Sequence, residues 1–222
     1  KNIVYLVHII LCMNLILYGL LQDQFILSAI KNHRKSSKKI WPKVADVVPE
    51  WFDLNKVDIW FEDESRVGQK GTLTRIWAKK GKRPRVIKQQ QYINTYIIGS
   101  VCPNKNIAEA IISPYCNSDA IHHHLQQISA ATTSDHFAVV VMDQAGWHIT
   151  PKIDNIPNVA LLFLPAYSPE LNPMEQVWEW LKSHFLHNRI FNGYDDIEKS
   201  CCDAWNRFIE NLNLLASICD PS

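Results

Sequence analysis

The sequence has little glycine and no low-complexity stretch. Its 222 residues include 7 Gly against 11 Pro and 8 Trp, which excludes collagen-like chains. It also lacks the low hydrophobicity of a disordered chain, because 47% of its residues are hydrophobic and 20% are charged. Its length is sufficient to bury a core, so we expect a globular protein of one large or two small domains.

The sequence lacks the cysteine spacing of a disulfide scaffold. Its six cysteines include no Cys-x-x-Cys pair, which favours reduced thiols in a cytosolic protein. Cys116, His122 and His124 can be drawn together as a zinc site, but a fourth ligand and a recognised spacing are both missing. We therefore expect these residues not to bind zinc.

Two stretches lack acidic residues, although the formal net charge of the chain is only +1. Residues 66–88 contain nine Lys or Arg, and residues 31–43 contain six more. Such basic strips are the electrostatic footprint of a polyanion partner, although a solvated Lys-rich hairpin has the same composition. The candidate DNA contacts in the longer strip are Arg66, Lys70, Arg75, Lys79, Lys80, Lys82, Arg83 and Arg85.

Charge of either sign is absent from residues 2–22, and residues 3–21 are apolar apart from His8, Asn14 and Gly19. A helix of that length could cross a bilayer, so a membrane anchor is one interpretation, and a buried or non-native segment is the other. The chain opens with Lys rather than Met, which favours a fragment or an altered reading frame. We expect residues 1–43 to be a truncated or non-native segment, hydrophobic and then basic, without a membrane role.

Apolar patterns predict an α/β protein whose sheet has mixed strand direction. The final two strands are near-continuous apolar runs, which is typical of strands covered on both faces. Asn172 is predicted to cap a helix that has Pro173 at its first position. The predicted strands are 57–63, 92–101, 107–112, 137–142 and 159–164, with a basic hairpin formed by 72–77 and 83–88; the predicted helices are 120–131, one from Asn172 onward, and 194–215.

Three carboxylates lie at positions where an α/β fold commonly exposes functional side chains. Asp63 ends the first core strand, Asp143 follows the next buried strand, and Glu175 opens the helix after the last strand. Acids gathered at the carboxyl ends of strands would repel one another unless divalent cations were bound, and oxygen ligands suit Mg²⁺. Simpler interpretations stay open: Glu175 as a capping residue, Asp143 as a turn residue, and Asp63 as a solvated acid beside Glu62 and Glu64.

Three segments carry a resemblance to a known family. Residues 143–148, with the sequence DQAGWH, resemble the D-N-x-x-x-H segment of mariner-superfamily transposases, particularly those of the bacterial insertion-sequence branch. Residues 162–178, with the sequence LFLPAYSPELNPMEQVW, are similar to that family's L-P-P-Y-S-P-x-L-N-P-I-E-x-x-W block. Residues 60–65 resemble its first-aspartate strand, so the resemblance covers about residues 58–186.

The resemblance implies an RNase H-like catalytic domain over residues 44–222, built as a mixed sheet flanked by helices. It implies a metal-binding catalytic triad of Asp63, Asp143 and Glu175, supported by Glu64 and His148, with two Mg²⁺ or Mn²⁺ ions. The implied reaction is cleavage at the ends of a mobile element, followed by attack of the freed 3′-hydroxyl on target DNA. A homodimer acting on DNA in the bacterial cytoplasm is the implied context.

The sequence also departs from the family pattern. Gln144 replaces the usual Asn, Ala166 replaces the second Pro, and no helix-turn-helix region precedes the core. These departures leave two alternatives to an active transposase. One is a catalytically inactive remnant that only binds DNA, and the other is an RNase H-like nuclease without strand transfer.

Overall fold

The computed structural model describes residues 43–70, 79–81, 89–149, 156–165 and 171–211, together with 215 and 218. The residues from Val44 onward belong to one compact unit that runs to Ser222. The predicted segment 1–43, apart from its last residue, and the two strands of the predicted basic hairpin lie outside the described residues. Within the described part of the chain, no helix is both long and apolar enough to cross a membrane.

A mixed five-stranded sheet forms the centre of the described structure, as the sequence predicts. Its strands lie in the order β3-β2-β1-β4-β5. The β1–β2 and β2–β3 pairs are antiparallel, whereas β4 lies parallel to both β1 and β5. The bounds are Val57–Gly68 (β1), Asn94–Cys102 (β2), Ile107–Ser113 (β3), Phe137–Met142 (β4) and Val159–Phe163 (β5).

Three helices of more than one turn accompany the described strands: Ser118–Ala131 (α1), Met174–Leu181 (α2) and Tyr194–Ile209 (α3). A helical turn at 43–47 and a single 3₁₀ turn, Leu54–Lys56, precede β1. The side chain of Asn117 caps α1 by accepting a hydrogen bond from the Ala120 amide at 2.9 Å. A π-helical turn, Lys182–Leu186, extends α2.

The two faces of the sheet bury different helices, because successive side chains of a strand point to opposite sides. On one face, Ile121, Leu125 and Ile128 of α1 pack with Trp60 of β1 and Val140 of β4 in one buried apolar cluster. The other face carries α2 and α3, which contact β1 and β2. The helices therefore sandwich the central strands, and β1 and β4 are buried along most of their length.

Three predicted details are wrong. The first strand was predicted to end at Asp63, but β1 continues to Gly68, so Asp63 lies within the strand. The apolar run at 159–163 was expected to be covered on both faces, but β5 lies at the edge of the five-stranded sheet and only Leu162 among its residues is buried. Helix α2 begins at Met174, and Pro173 precedes it as the capping residue. Asn172 still acts at this end, because its side-chain oxygen accepts a hydrogen bond from the Met174 amide at 3.1 Å.

Candidate active site at the carboxyl ends of β1 and β4

The register of the two central parallel strands brings the first two candidate acids to the same level along this strand pair. Phe61 of β1 pairs with Val141 of β4. Asp63 and Asp143 each lie two residues further along, at equivalent positions on adjacent strand paths. Their juxtaposition therefore follows from the pairing of strands whose sequences are 80 residues apart.

Asp63 lies beneath helix α2. Its Oδ2 accepts a hydrogen bond of 2.8 Å from the indole Nε1 of Trp178. Burial raises the pKa of the Asp63 carboxyl to about 6, with the hydrogen bond from Trp178 opposing this shift and the charges of Glu64 and Glu175 adding to it. Asp63 is thus a partly desolvated carboxylate whose environment includes other acids.

Glu175 lies in the first turn of α2, three residues before Trp178, and is exposed. The start of this helix is attached to β1, because the Asn172 side chain donates a hydrogen bond of 2.8 Å to the backbone carbonyl of Glu62. The same loop therefore positions Glu175 and brings Trp178 over Asp63. The effect of Glu175 on the pKa of Asp63 shows that the two carboxylates lie within electrostatic range.

Asp143 is accessible to solvent, with 60% of its side chain exposed. Its Oδ1 accepts a hydrogen bond from the Ala145 amide at 2.8 Å and lies 2.8 Å from Nδ1 of His148. The first contact is an Asx turn, so the interpretation of Asp143 as a turn residue is also correct. The second contact connects the carboxylate to a buried histidine five residues later.

Glu64 contacts the other ring nitrogen of that histidine. Its Oε1 lies 3.0 Å from Nε2 of His148 and accepts hydrogen bonds from Nε1 of Trp147 at 2.6 Å and Sγ of Cys116 at 3.2 Å. Burial alone would raise the pKa of Glu64, but the hydrogen bond and charge of His148 lower it overall. Burial likewise opposes the charged form of His148, yet the contacts with Glu64 and Asp143 raise its pKa.

Glu62 lies on the same face of β1 as Glu64, and its exposed fraction is 0%. Neither of its carboxylate oxygens has a hydrogen-bond partner. Oε2 lies 3.8 Å from Nε2 of His148, which is too long for a hydrogen bond. Burial, together with the charges of Glu64, Asp63 and Asp143, raises the pKa of Glu62 well above its usual range.

Among the described residues, one group of side chains has the geometry of a metal site: Glu62, Glu64 and His148, whose ligand atoms all lie within 4.8 Å of one another. Cys116, His122 and His124 do not form such a group in that part of the chain. His124 is fully buried, and burial lowers its pKa to about 4.

Four of the eight basic candidates fall in the described ranges, and all four are exposed: Arg66, Lys70, Lys79 and Lys80. Nζ of Lys70 lies 4.9 Å from the ring centroid of Tyr92. Residues 79–81 include a turn in which Gly81 has a φ of 84°, a conformation that favours glycine. The other four candidates, Arg75, Lys82, Arg83 and Arg85, lie outside the described residues.

Sequence reasoning did not single out three residues that the structure places at the site. Trp178 was assigned only to an apolar helix face, Glu62 only to a run of acids, and Gly99 to nothing. Gly99 pairs with Asp63 across β1 and β2, and a Cβ added there would lie 2.9 Å from Trp178 and 3.0 Å from Trp205. Strand alternation was the signal available for Glu62, because it separates Glu62 and Glu64 from Asp63.

Two solved structures of the Mos1 transposase resemble this chain. The Mos1 mariner paired end complex with Mn has a TM-score of 0.53 and 16% sequence identity, and the match covers 85% of this chain and 60% of that chain. A pre-cleavage Mos1 transpososome matches with a TM-score of 0.50 and 14% identity, over 73% of this chain and 54% of the other. The chain therefore shares the RNase H-like fold that the sequence implied, and spans little more than half the length of these proteins.

One relative by sequence and one family model also match this chain. An uncharacterized protein of Sinorhizobium fredii (strain NBRC 101917 / NGR234), y4pE/y4sA, is 46% identical over 123 residues, which is 55% of this chain and 91% of that protein. The family model described as DDE superfamily endonuclease matches residues 58–198, which is more than half of the chain and includes all three candidate acids. The chain therefore belongs to the DDE superfamily endonuclease family.

Proposed function

We propose that this chain is the catalytic domain of a DDE transposase, which cleaves the ends of an insertion sequence and joins the freed 3′-hydroxyl to target DNA. The observation that carries the proposal is the parallel pairing of β1 with β4, which gives Asp63 and Asp143 equivalent positions on adjacent strand paths, while Glu175 begins the helix whose Trp178 contacts Asp63. Family membership supports nuclease or transposase activity in general. Cleavage of element ends and strand transfer are the more specific activities that we propose.

The donor set at this edge fits divalent cations. Carboxylate oxygens are the preferred ligands of Mg²⁺ and Mn²⁺. Burial and the neighbouring acids raise the pKa of Asp63, and a bound cation would offset both effects. Asp63, Asp143 and Glu175 would hold the ions. Two bound ions would supply an activated water and stabilise the leaving oxygen in phosphodiester cleavage. Trp178 would keep one oxygen of Asp63 oriented, and His148 would keep the exposed Asp143 carboxylate in place.

DNA is the proposed substrate and partner. Arg66, Lys70, Lys79 and Lys80 are exposed, and exposed cations along one strip supply the backbone affinity of a DNA-binding protein. We extend the proposal to a homodimer on two element ends, because one of the similar structures is a paired end complex.

The decisive test is cleavage of supercoiled plasmid by the full chain with Mg²⁺, Mn²⁺ or EDTA, comparing the wild type with Asp143→Asn. The variant removes a metal ligand and no basic contact, so we expect nicking to fall by roughly 1,000-fold or more while DNA retention stays within about twofold. Asp46→Asn is the matched control, because Asp46 is an exposed acid outside the elements that carry the site.

Three outcomes would separate the alternatives. Metal-dependent nicking that persists in Asp143→Asn would refute the triad. Retention of DNA without nicking by the wild type would favour a DNA-binding remnant. Nicking without joined products, when oligonucleotides with free 3′-hydroxyl ends are supplied, would favour a nuclease that performs no strand transfer.

A further inference from the structure

A second cluster of metal-ligating side chains lies on the other side of β1 from Asp63. Glu62 and Glu64 point to the α1 face of the strand, whereas Asp63 points toward α2 and contacts Trp178. Nε2 of His148 approaches both glutamates, at 3.0 Å from Oε1 of Glu64 and 3.8 Å from Oε2 of Glu62. Asp63 therefore lies on the opposite side of β1 from this cluster, whereas Asp143 contacts the cluster through His148.

Glu62 is the unusual member of this cluster. It is fully buried, and both of its oxygens lack a hydrogen-bond partner. A buried carboxylate without a partner is costly, and the same face of β1 shows how the chain avoids that cost elsewhere. Asp58, four residues earlier and also buried, lies 3.1 Å from Nδ1 of His136 and 3.6 Å from Nζ of Lys105. Glu62 has no such cation among the described residues except His148, at 3.8 Å.

The spacing of the three side chains suits a transition-metal ion. Zinc bonds of about 2.0–2.2 Å to nitrogen and oxygen place tetrahedral ligands about 3.4 Å apart. The two distances from Nε2 of His148, 3.0 and 3.8 Å, bracket that separation, and all three ligand atoms lie within 4.8 Å of one another. One imidazole with two carboxylates favours Zn²⁺ over Mg²⁺, which prefers oxygen ligands alone.

The histidine also has the support that metal-binding histidines usually have. Its second nitrogen, Nδ1, lies 2.8 Å from Oδ1 of Asp143. A carboxylate that accepts the Nδ1 proton fixes the tautomer in which Nε2 is free to bind a metal. Here that carboxylate is a member of the proposed catalytic triad.

We propose that Glu62, Glu64 and Nε2 of His148 form a binding site for a Zn²⁺-like divalent cation, with ligands different from those of the proposed catalytic site. The bound cation neutralises the buried Glu62 and holds His148 in the orientation that positions Asp143. The site is structural, and it connects the loop after β4 to β1.

Zinc binding by the full chain tests this site. Metal-free, reduced protein is titrated with Zn²⁺ in competition with a chromophoric chelator, comparing the wild type with the near-isosteric variant Glu62→Gln. We expect the wild type to bind one more Zn²⁺ than the variant, and this difference removes the background contributed by the six cysteines and nine histidines. Asp46→Asn is the matched control: it removes an exposed acid that lies outside both proposed metal sites, and it should bind as many Zn²⁺ ions as the wild type.

A second variant and a spectroscopic measurement guard against a folding defect in Glu62→Gln. Glu64→Gln removes another ligand without altering the buried Glu62, and should lose the same Zn²⁺ ion. Co²⁺ bound in place of Zn²⁺ should give visible d–d absorption in the wild type and in Asp46→Asn, and weaker absorption in both glutamine variants. Equal Zn²⁺ stoichiometry and affinity in the wild type, Glu62→Gln and Glu64→Gln would overturn the proposal.

The two proposals fail separately in these experiments. Asp63→Asn should abolish plasmid cleavage, and adding Glu62→Gln to it should still remove one Zn²⁺ ion, so loss of cleavage does not report on this site. Conversely, a wild type that nicks plasmid but binds no more Zn²⁺ than Glu62→Gln would retain the catalytic triad and exclude the second cation.

Discussion

The two faces of strand β1 handle buried acids in opposite ways. On the face toward α2, Asp63 receives a hydrogen bond from the Trp178 indole, and Gly99 on the neighbouring strand leaves room for that ring. On the face toward α1, Glu62 has no hydrogen-bond partner, and Glu64 gathers His148, Trp147 and Cys116 around one oxygen. One strand thus presents an acid oriented by a neutral donor on one side, and acids arranged around a histidine on the other.

The difference teaches how a single run of three acids can serve two purposes. Consecutive residues of a strand cannot share a face, so Glu62-Asp63-Glu64 divides automatically between the α1 layer and the α2 layer. The α2 face opens toward Glu175 and the proposed DNA substrate. The α1 face is closed by the loop that follows β4, which returns from Asp143 to His148.

The largest expected effect on stability comes from His124, which is buried in α1 on the Glu64 side. Its pKa is about 4 in the folded chain and 6.5 when solvated, so between these values the unfolded chain binds more protons. The His124 contribution to the free energy of unfolding should therefore be fully present above pH 6.5 and be lost as the pH drops toward 4, by about 3 kcal/mol, while the raised pKa values of Asp63 and Glu62 act in the opposite direction.

Urea denaturation across this pH range, with His124→Gln beside the wild type, isolates that contribution. The glutamine variant should lack the His124 part of the decline between pH 6.5 and 4. His123→Gln, at the exposed neighbouring position, should retain the wild-type profile. Identical profiles for His124→Gln and the wild type would mean that His124 does not remain neutral on folding.

The stability of the face of the sheet toward α2 should depend on side-chain volume rather than on charge. Gly99→Ala would place a Cβ 2.9 Å from Trp178 and 3.0 Å from Trp205, so one or both rings must move. We expect a loss of about 2 kcal/mol in the free energy of unfolding, within the usual range for overpacking. Gly146→Ala is the control, because a Cβ at Gly146 meets no atom within 4 Å. Chemical denaturation of both variants measures the difference, and equal stabilities would show that α2 and α3 can shift without penalty.

The smallest expected effect is on the orientation of Asp63. Trp178→Phe keeps an aromatic ring beside Gly99 but removes the N–H that donates to Asp63, and it should lower the plasmid-nicking rate about tenfold, or roughly 1.4 kcal/mol. The acidic limb of the pH–rate profile should also move to higher pH, because the hydrogen bond stabilises the ionised carboxylate. Trp180→Phe, on the same helix and stacked on His184, is the control. An unchanged pH limb in Trp178→Phe would show that the indole only fills space.

Much of this arrangement could be predicted from the sequence because local signals and the global fold agree. The apolar run 137–142 forms a buried strand, and Asp143 follows it as predicted. Asp63 does not end its strand, because β1 continues to Gly68. The burial of β5 was predicted wrongly. An apolar run does not show whether its strand lies in the centre of the sheet or at the edge, where β5 lies and its side chains are only partly buried.

The partners of the acids could not be predicted from the sequence. The contacts of His148 with Glu64 and Asp143 depend on the path of the loop from 143 to 148, which is determined by packing against β1. The hydrogen bond from Trp178 to Asp63 joins residues 115 positions apart, so no local pattern contains it. The sequence shows that residue 62 is an acid, but it does not show that this side chain is fully buried without a hydrogen-bond partner.

The parallel pairing of β1 with β4 also has a consequence for how the chain acquires its site during folding. The residues joined by that pairing are separated by 80 positions, and β2, β3 and α1 are all inserted between them. Closing so long a loop is entropically costly and belongs to the slow, non-local part of folding. Synthesis delivers Asp63 first, Asp143 after four of the five strands, and Glu175 only with α2. The acids can therefore assemble only late, when the sheet that supports them is nearly complete.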